Sequence, residues 1–173
     1  MSRTCKNCKT KFEPQYNSVQ SVCSFECALE DGKKNRDKKW KKEKKVRSEA
    51  LKTNSDYVRE LQVIFNKFIR LRDKDNGCIS CNKPLSSKYD AGHYYSTGSY
   101  PELRFNENNV HAQCVFCNQH KHGNLLEYRI QLKKRIPVED YVALNMMKGH
   151  PRKYTIPELK ALKIKYKEKI KML

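Results

Sequence analysis

The sequence predicts an α+β protein: a small zinc-stapled core of two strands and a helix, flanked by basic helices and preceded by a zinc knuckle. Three observations carry this. The eight cysteines fall into four close pairs. An insert rich in His, Asn, Asp and Gly separates the last two pairs, and apolar residues recur at helical spacing before and after it. A chain of 173 residues with a formal net charge of +18 has little apolar content for one large core, so two metal-stapled modules fit better.

The first module covers residues 1–30. Cys5-Lys6-Asn7-Cys8 and Cys23-Ser24-Phe25-Glu26-Cys27 flank a segment carrying Phe12, Pro14 and Tyr16, the size of a zinc knuckle with a β-hairpin between its ligands. Met1-Ser2-Arg3-Thr4 leads into cysteine rather than a signal-peptide core, and no apolar run is long enough to cross a membrane. A cytoplasmic chain with reduced, metal-binding cysteines is expected. Residues 31–54 then turn strongly basic. Lysine, arginine and glutamate propagate a helix, but only Trp40 and Val46 offer apolar surface. A charge run is ordinarily a solvated linker. Here the net charge calls for a polyanionic partner, and Lys38, Lys39, Lys41, Lys42, Lys44 and Lys45 are expected to lie along a phosphate backbone.

The second module covers residues 55–135. Asn54 or Ser55 caps a helix with Asp56 in its first turn, and Tyr57, Val58, Leu61, Ile64, Phe65, Phe68 and Ile69 form an apolar stripe that ends near Asn76-Gly77. Cys78, Cys81, Cys114 and Cys117 supply four thiolates to a second structural zinc. Between them, Asp90-Ala91-Gly92-His93-Tyr94-Tyr95-Ser96 reads as a strand with a histidine near its middle. A turn-rich passage leads to a second strand over 108–114. A helical pattern starts at Asn118-Gln119-His120-Lys121 and runs through Ile130. In residues 136–173, Pro137 breaks that helix, 138–147 forms a short one, and Thr155 with Glu158 makes a capping box for a basic helix over 156–172. That last helix packs on the 57–69 helix or on its counterpart in another copy.

His93 upstream of a Cys-x-x-Cys, Asn109 just before that pair, Asn118 directly after it and Lys121 beyond together resemble the HNH, or ββα-metal (His-Me finger), nucleases, in the variant with a final Asn seen in endonuclease VII-type junction resolvases. More narrowly, Asp90-Ala91-Gly92-His93-Tyr94, Leu103-Arg104-Phe105-Asn106-Glu107, His111-Ala112-Gln113-Cys114 and Glu127-Tyr128-Arg129-Ile130 resemble the NinG, or Rap, recombination family of lambdoid phages. The resemblance implies a metal-dependent endonuclease acting on branched DNA, Holliday junctions and D-loops, with duplex DNA as the simpler partner. Paired nicking by such an enzyme calls for a C2 homodimer. No membrane or small-molecule substrate is implied.

The chemistry fits the pattern. Phosphodiester hydrolysis needs a base near neutral pH, and His93 is that base. A divalent ion, Mg or Mn, needs oxygen and imidazole ligands rather than thiolates. Asn118 is the foremost ligand, with Asp90 or His120 completing the set. Asn109, the third member of the catalytic pattern, is expected to orient His93 or its loop through backbone hydrogen bonds. Strand alternation would point Asp90 and His93 to opposite faces unless Gly92 marks a bulge. Arg104 is a phosphate clamp and Lys121 a further DNA contact. His111 reads as structural or catalytic, and His122 and His150 as surface residues, with a phosphate contact open for His122. Two other functions fit the same residues: a zinc-dependent DNA-binding recombination accessory protein without activity, and an HNH nuclease without branch specificity.

Overall fold

The computed structural model describes residues 2–17, 19–150 and 152–173. They form two compact units, Met1–Lys52 and Thr53–Leu173.

In the first unit, β1 (Arg3–Thr4) pairs antiparallel with β2 (Lys11–Phe12), Arg3 opposite Phe12. The turn joining them holds Cys5 and Cys8. It closes through Lys9, whose φ of 66° is left-handed, with Lys9 N–H donating to Cys5 O and Cys5 N–H to Thr10 O. The hairpin therefore encloses the first cysteine pair instead of lying between the two pairs as the sequence suggested. The knuckle turn itself brings the short strands together. Ser24 caps α1 (Phe25–Ala50), its side chain accepting from Cys27 N–H, so the fourth cysteine sits in the first helical turn. No residue of α1 is buried. The basic helix is continuous across residues 30 and 31, with Lys38, Lys39, Lys41, Lys42, Lys44 and Lys45 exposed.

The second unit begins at a capping box. Thr53 accepts from Asp56 N–H while Asp56 Oδ2 accepts from Thr53 N–H, placing the cap of α2 (Asn54–Arg72) one residue earlier than Asn54. Its stripe of Tyr57, Leu61, Phe65, Phe68 and Ile69 packs against Leu159 and Tyr166 of α5 (Ile156–Lys171) and against Phe105 and Val110. The last helix thus finds its partner within the chain. Phe65 meets Tyr166 edge-on at 4.9 Å, and Lys163 pairs with Glu60 across the two helices. The Thr155–Glu158 capping box of α5 forms as the sequence requires. At its other end α2 stops at Asp73, and Arg72 grips that carboxylate through two bonds while donating to Glu107 O and Val110 O. Asp73 in turn accepts from Ala112 N–H at 3.0 Å. Burial pushes the Asp73 carboxyl upward, but the Arg72 bonds and charge together with the Ala112 N–H outweigh it and hold it below the usual carboxylate range.

β3 (Tyr89–His93) and β4 (Val110–Cys114) pair antiparallel in unbroken register, Asp90 opposite Gln113 and His93 opposite Val110. After Cys114 comes one turn of π-helix (Phe116–His120), then α3 (Leu125–Arg135) and α4 (Val138–Met147). The helix expected to run from Asn118 through Ile130 is in two pieces. His122, Gly123 and Asn124 all have left-handed φ, and Gly123 N–H closes back on Cys117 O and Asn118 O. A second core of Ile79, Leu103, Tyr128, Leu132 and Leu144 lies under α3 and α4.

Gly92 marks no bulge. A Cβ there would lie 2.1 Å from Gln113 Oε1 and 3.0 Å from Gln113 Cβ and Cδ. Gln113 is fully buried and cannot swing away, because its Nε2 donates to Ser80 Oγ and Gly123 O, both at 2.6 Å. Gly92→Ala is therefore expected to destabilise the second unit by about 1–3 kcal/mol in urea unfolding. Gly98→Ala, where nothing lies within 4 Å, should be near neutral.

Candidate active site

Each unit gathers four cysteine sulfurs within 4.8 Å of one another: Cys5, Cys8, Cys23 and Cys27 in one, Cys78, Cys81, Cys114 and Cys117 in the other. A zinc held at about 2.3 Å by four thiolates spaces them about 3.8 Å apart. The separations of 3.4 Å for Cys8–Cys23, 3.6 Å for Cys23–Cys27 and 3.9 Å for Cys81–Cys114 fit that geometry. The turn at Cys78–Cys81 repeats the one at Cys5–Cys8: Asn82 has φ 57°, Asn82 N–H donates to Cys78 O, and Cys78 N–H to Lys83 O. Backbone N–H groups of Cys23, Cys114 and Cys117 point at Cys5, Cys78 and Cys114 sulfurs. Burial pushes the Cys117 thiol up, and with bonds from Cys114 and Cys81 it reaches about 12. Four thiolates cannot share so small a space without a cation. Both tetrads could hold a metal ion, and an all-thiolate tetrahedral donor set suits zinc.

The second tetrad fixes the ends of the strand pair beside it. Ile79 N–H donates to Ala112 O, and Asn124 Nδ2 reaches Cys117 Sγ at 3.7 Å. The strand order places Ala91 and His93 on one face of β3. A cleft of about 610 Å³ opens there, lined by Ala91, His93, Asn118 and His122 and walled by Tyr94, Tyr95 and Tyr100.

His93 is half-buried, and its Nε2 lies 3.1 Å from the backbone carbonyl of Arg104. A carbonyl only accepts, so Nε2 carries the proton and the Nδ1 lone pair is left for another partner. Burial lowers the His93 pKa below the ordinary 6.5, with the Arg104 carbonyl opposing and the Arg104 guanidinium assisting. The ring is a neutral base at neutral pH.

Asn109 is completely buried and does not reach the cleft. Its Oδ1 accepts from Tyr95 N–H at 2.8 Å, and its Nδ2 donates to Tyr95 O and Leu103 O. The side-chain amide replaces a strand partner at the point where the chain leaves the ladder. For this reason β3 ends at His93 and not at Ser96, and the loop carrying Arg104 is held over the histidine. Asn118 lines the cleft, with Nδ2 donating to Asp90 Oδ2 at 2.9 Å, and Gln119 donates to the same oxygen. Asp90 itself is not among the lining residues; it reaches the cleft only through Asn118. His120 is exposed and stacks on Phe116, with centroids 6.0 Å apart, and Lys121 covers the same ring. Asp90 and Asn118 are brought together; His120 is not. Among the described residues the only groups of three or more His, Cys, Asp or Glu ligands close enough to share an ion are the two tetrads.

Two further residues join the cleft. His122 enters it because the left-handed turn at 122–124 folds it back. Lys148, just after α4, lies 5.2 Å from the Tyr95 ring and 5.8 Å from Tyr100, and puts a cation at the rim. Arg104 contacts Gln62 Oε1 and Thr97 O only at 3.4 Å, so its guanidinium is loosely held. His111 is buried behind the strands, where its Nδ1 meets the Tyr128 hydroxyl that donates to Gly92 O.

Burial, aided by Arg72, depresses the His111 pKa to about 3. The unfolded chain, with a histidine value near 6.5, takes up this proton first as pH falls. The contribution is constant above pH 6.5 and is lost progressively between 6.5 and 3, amounting to about 2 kcal/mol by pH 5. Urea unfolding at pH 7 and pH 5 should show this loss in the intact protein and a smaller one in His111→Gln. Equal losses would remove His111 as the cause.

A strand pair, a π-turn and a helix closed by one cysteine tetrad, joined to a second tetrad unit with a long cationic helix, define a small α+β protein able to hold two structural metal ions. The chain belongs to the NinG family: the model described as Bacteriophage Lambda NinG protein matches residues 1–173. Protein ninG of Escherichia phage lambda is 43% identical over 191 residues, covering 99% of this chain and 93% of the relative. Protein ninG of Salmonella phage P22 is 42% identical over 193 residues, and that of Escherichia phage 933W 41% over 188, each with the same coverage. No solved structure matches. No helix among the described residues is long and apolar enough to cross a membrane.

Proposed function

We propose that the protein is a metal-dependent, structure-specific DNA endonuclease of the HNH type that cleaves branched DNA, Holliday junctions and D-loops, in phage recombination inside the host cell. One observation carries this reading: His93, neutral and with Nδ1 unengaged, shares a cleft with Asn118 beside a cysteine tetrad. His93 Nδ1 takes a proton from a water whose oxygen attacks phosphorus, the P–O3′ bond breaks, and the departing O3′ takes a proton from solvent water to leave as the 3′-hydroxyl. Arg104 and Lys148 supply positive charge around the phosphate, and the Arg104 carbonyl keeps the imidazole in the working tautomer. Asn118 Oδ1, in the cleft, suits Mg or Mn, which bind through one or two protein oxygens with the rest of the shell from water and phosphate, and Asp90, bonded to Asn118 Nδ2 from outside the cleft, would orient that amide. Such an ion would neutralise charge on the scissile phosphate. A second copy of the chain would provide the paired nicks a junction requires.

Labelled DNA with Mg or Mn, intact protein against His93→Ala, tests the hydrolytic step. Cleavage by the intact protein and binding without cleavage by the variant is the expected result. Binding by both with cleavage by neither would sink it. A zinc-stabilised DNA-binding accessory protein without activity is the second reading. It is favoured by the tetrads being the only three-ligand His, Cys, Asp or Glu clusters among the described residues.

A further inference from the structure

Arg104 faces two ways. Its carbonyl holds the His93 ring, and the residue also lines a separate cavity of about 660 Å³ that His93 does not line. Three cations wall this second cavity, Arg104, Arg152 and Lys153, and no carboxylate is among its lining residues. Both α2 and α5 begin at its edge, at Asn54 and Thr155, and Asn54 Nδ2 bonds Tyr154 O to tie the two starts together. Their first turns already carry Asp56 and Glu158 in capping boxes. Any pull on an anion therefore comes from the three side chains, not from the helix ends.

Of the three cations only Arg152 is held in place. Arg152 Nη2 donates to Glu158 Oε1 at 2.7 Å, and its guanidinium lies 5.0 Å from the Tyr154 ring. Tyr154 is itself fixed, edge-on against Phe105 and donating to Glu102 O. Lys153 has no acceptor among the described residues, and Arg104 has only its two long contacts. Arg152 is thus braced with donors to spare, and one carboxylate answers three positive charges. A planar guanidinium braced on one side is suited to a phosphate on the other. The cavity is open to solvent and not enclosed, which leaves room for a phosphate that is part of a longer chain.

We infer that this cavity is a phosphate-binding subsite, which takes a backbone phosphate of the nucleic acid away from the scissile one, with Arg104 shared between the two sites. The inference rests on the nucleic-acid part of the proposed function and is independent of hydrolysis. Each phosphate neutralised by a cation releases counterions and steepens the salt dependence of binding.

The experiment uses the full chain carrying His93→Ala, so that DNA survives, and measures the dependence of duplex binding on salt. Adding Arg152→Ala with Lys153→Ala should flatten the slope of log K against log [KCl] by about 2, with an unchanged thermal midpoint. Lys167→Ala with Lys171→Ala, on exposed positions toward the other end of α5, removes the same charge and should cost less than half as much. A loss in the Arg152 and Lys153 variant no greater than this control overturns the subsite. A parallel arm uses inorganic phosphate as the probe: a thermal shift in the intact protein, absent from the variant, with the DNA slope unchanged, would assign the cavity to free phosphate and overturn the backbone assignment. Failure of the intact protein to bind DNA at all sinks both this inference and the proposed function. Binding without metal-dependent cleavage by the histidine-intact protein sinks hydrolysis alone.

Discussion

Replacing Cys114 by serine is expected to abolish the cooperative unfolding transition of Thr53–Leu173, whereas replacing Cys8 leaves it in place. The second tetrad cross-links three pieces, the Cys78–Cys81 knuckle, the end of β4 and the π-turn that starts the path to α3, which otherwise meet through the Ile79–Ala112 and Gln113–Ser80–Gly123 hydrogen bonds and the Ile79 core. A two-stranded pair is not stable alone. A structural zinc contributes about 10–16 kcal/mol in small metal-stapled units, as much as the whole net stability of an ordinary domain, about 5–15 kcal/mol. Nine of the ten tyrosines lie in this unit, so the tyrosine region of the near-UV circular dichroism reports mainly on it, with Tyr16 and the exposed Trp40 contributing from the first unit. A strong chelator should reproduce the Cys114→Ser result. Retention of a cooperative transition in both conditions would mean that the tetrad is not a structural metal site.

His93→Ala should lower the rate of strand cleavage by about 10²- to 10⁴-fold, the usual contribution of a positioned general base, while DNA affinity stays within a small factor. Among the described residues the half-buried ring has one hydrogen bond, to the Arg104 carbonyl, so the variant should also unfold close to where the intact protein does. The pH profile distinguishes a base from a merely structural histidine. Burial holds the His93 pKa below 6.5, so the protonated, inactive form accumulates only under acid conditions. The rate should rise with pH through a limb centred below 6.5 and then level off. A limb at or above 7 would assign the proton acceptor to another group.

Much of this was legible because it depends on short-range chemistry. Paired cysteines, the Thr155–Glu158 box, the boundaries of α4 and the apolar stripe of α2 each declare themselves within a few residues. Thr53 stands three residues ahead of Asp56 as a capping box requires, but the neighbouring Asn54 and Ser55 are equally good capping types, so residue type alone does not choose among the three. The interior of the site was harder, because it is settled by groups distant in sequence. Gly92 is small because the Gln113 amide lies over it, and nothing near Gly92 in the sequence reveals that. β3 stops at His93 because Asn109, on the far side of the loop, supplies a side-chain amide in place of a strand. His122 joins the cleft through a left-handed turn that a helical pattern of apolar residues conceals. Phe116 draws His120 into a surface stack, away from Asp90.

The most direct test of a structure-specific nuclease is cleavage, by the intact protein with Mg or Mn, of a four-way junction beside a linear duplex of matched sequence. The predicted result is paired, symmetric nicks in the junction and little cutting of the duplex. Equal cutting of both would keep hydrolysis and remove branch specificity. Binding of both with cleavage of neither would contradict the proposed function itself.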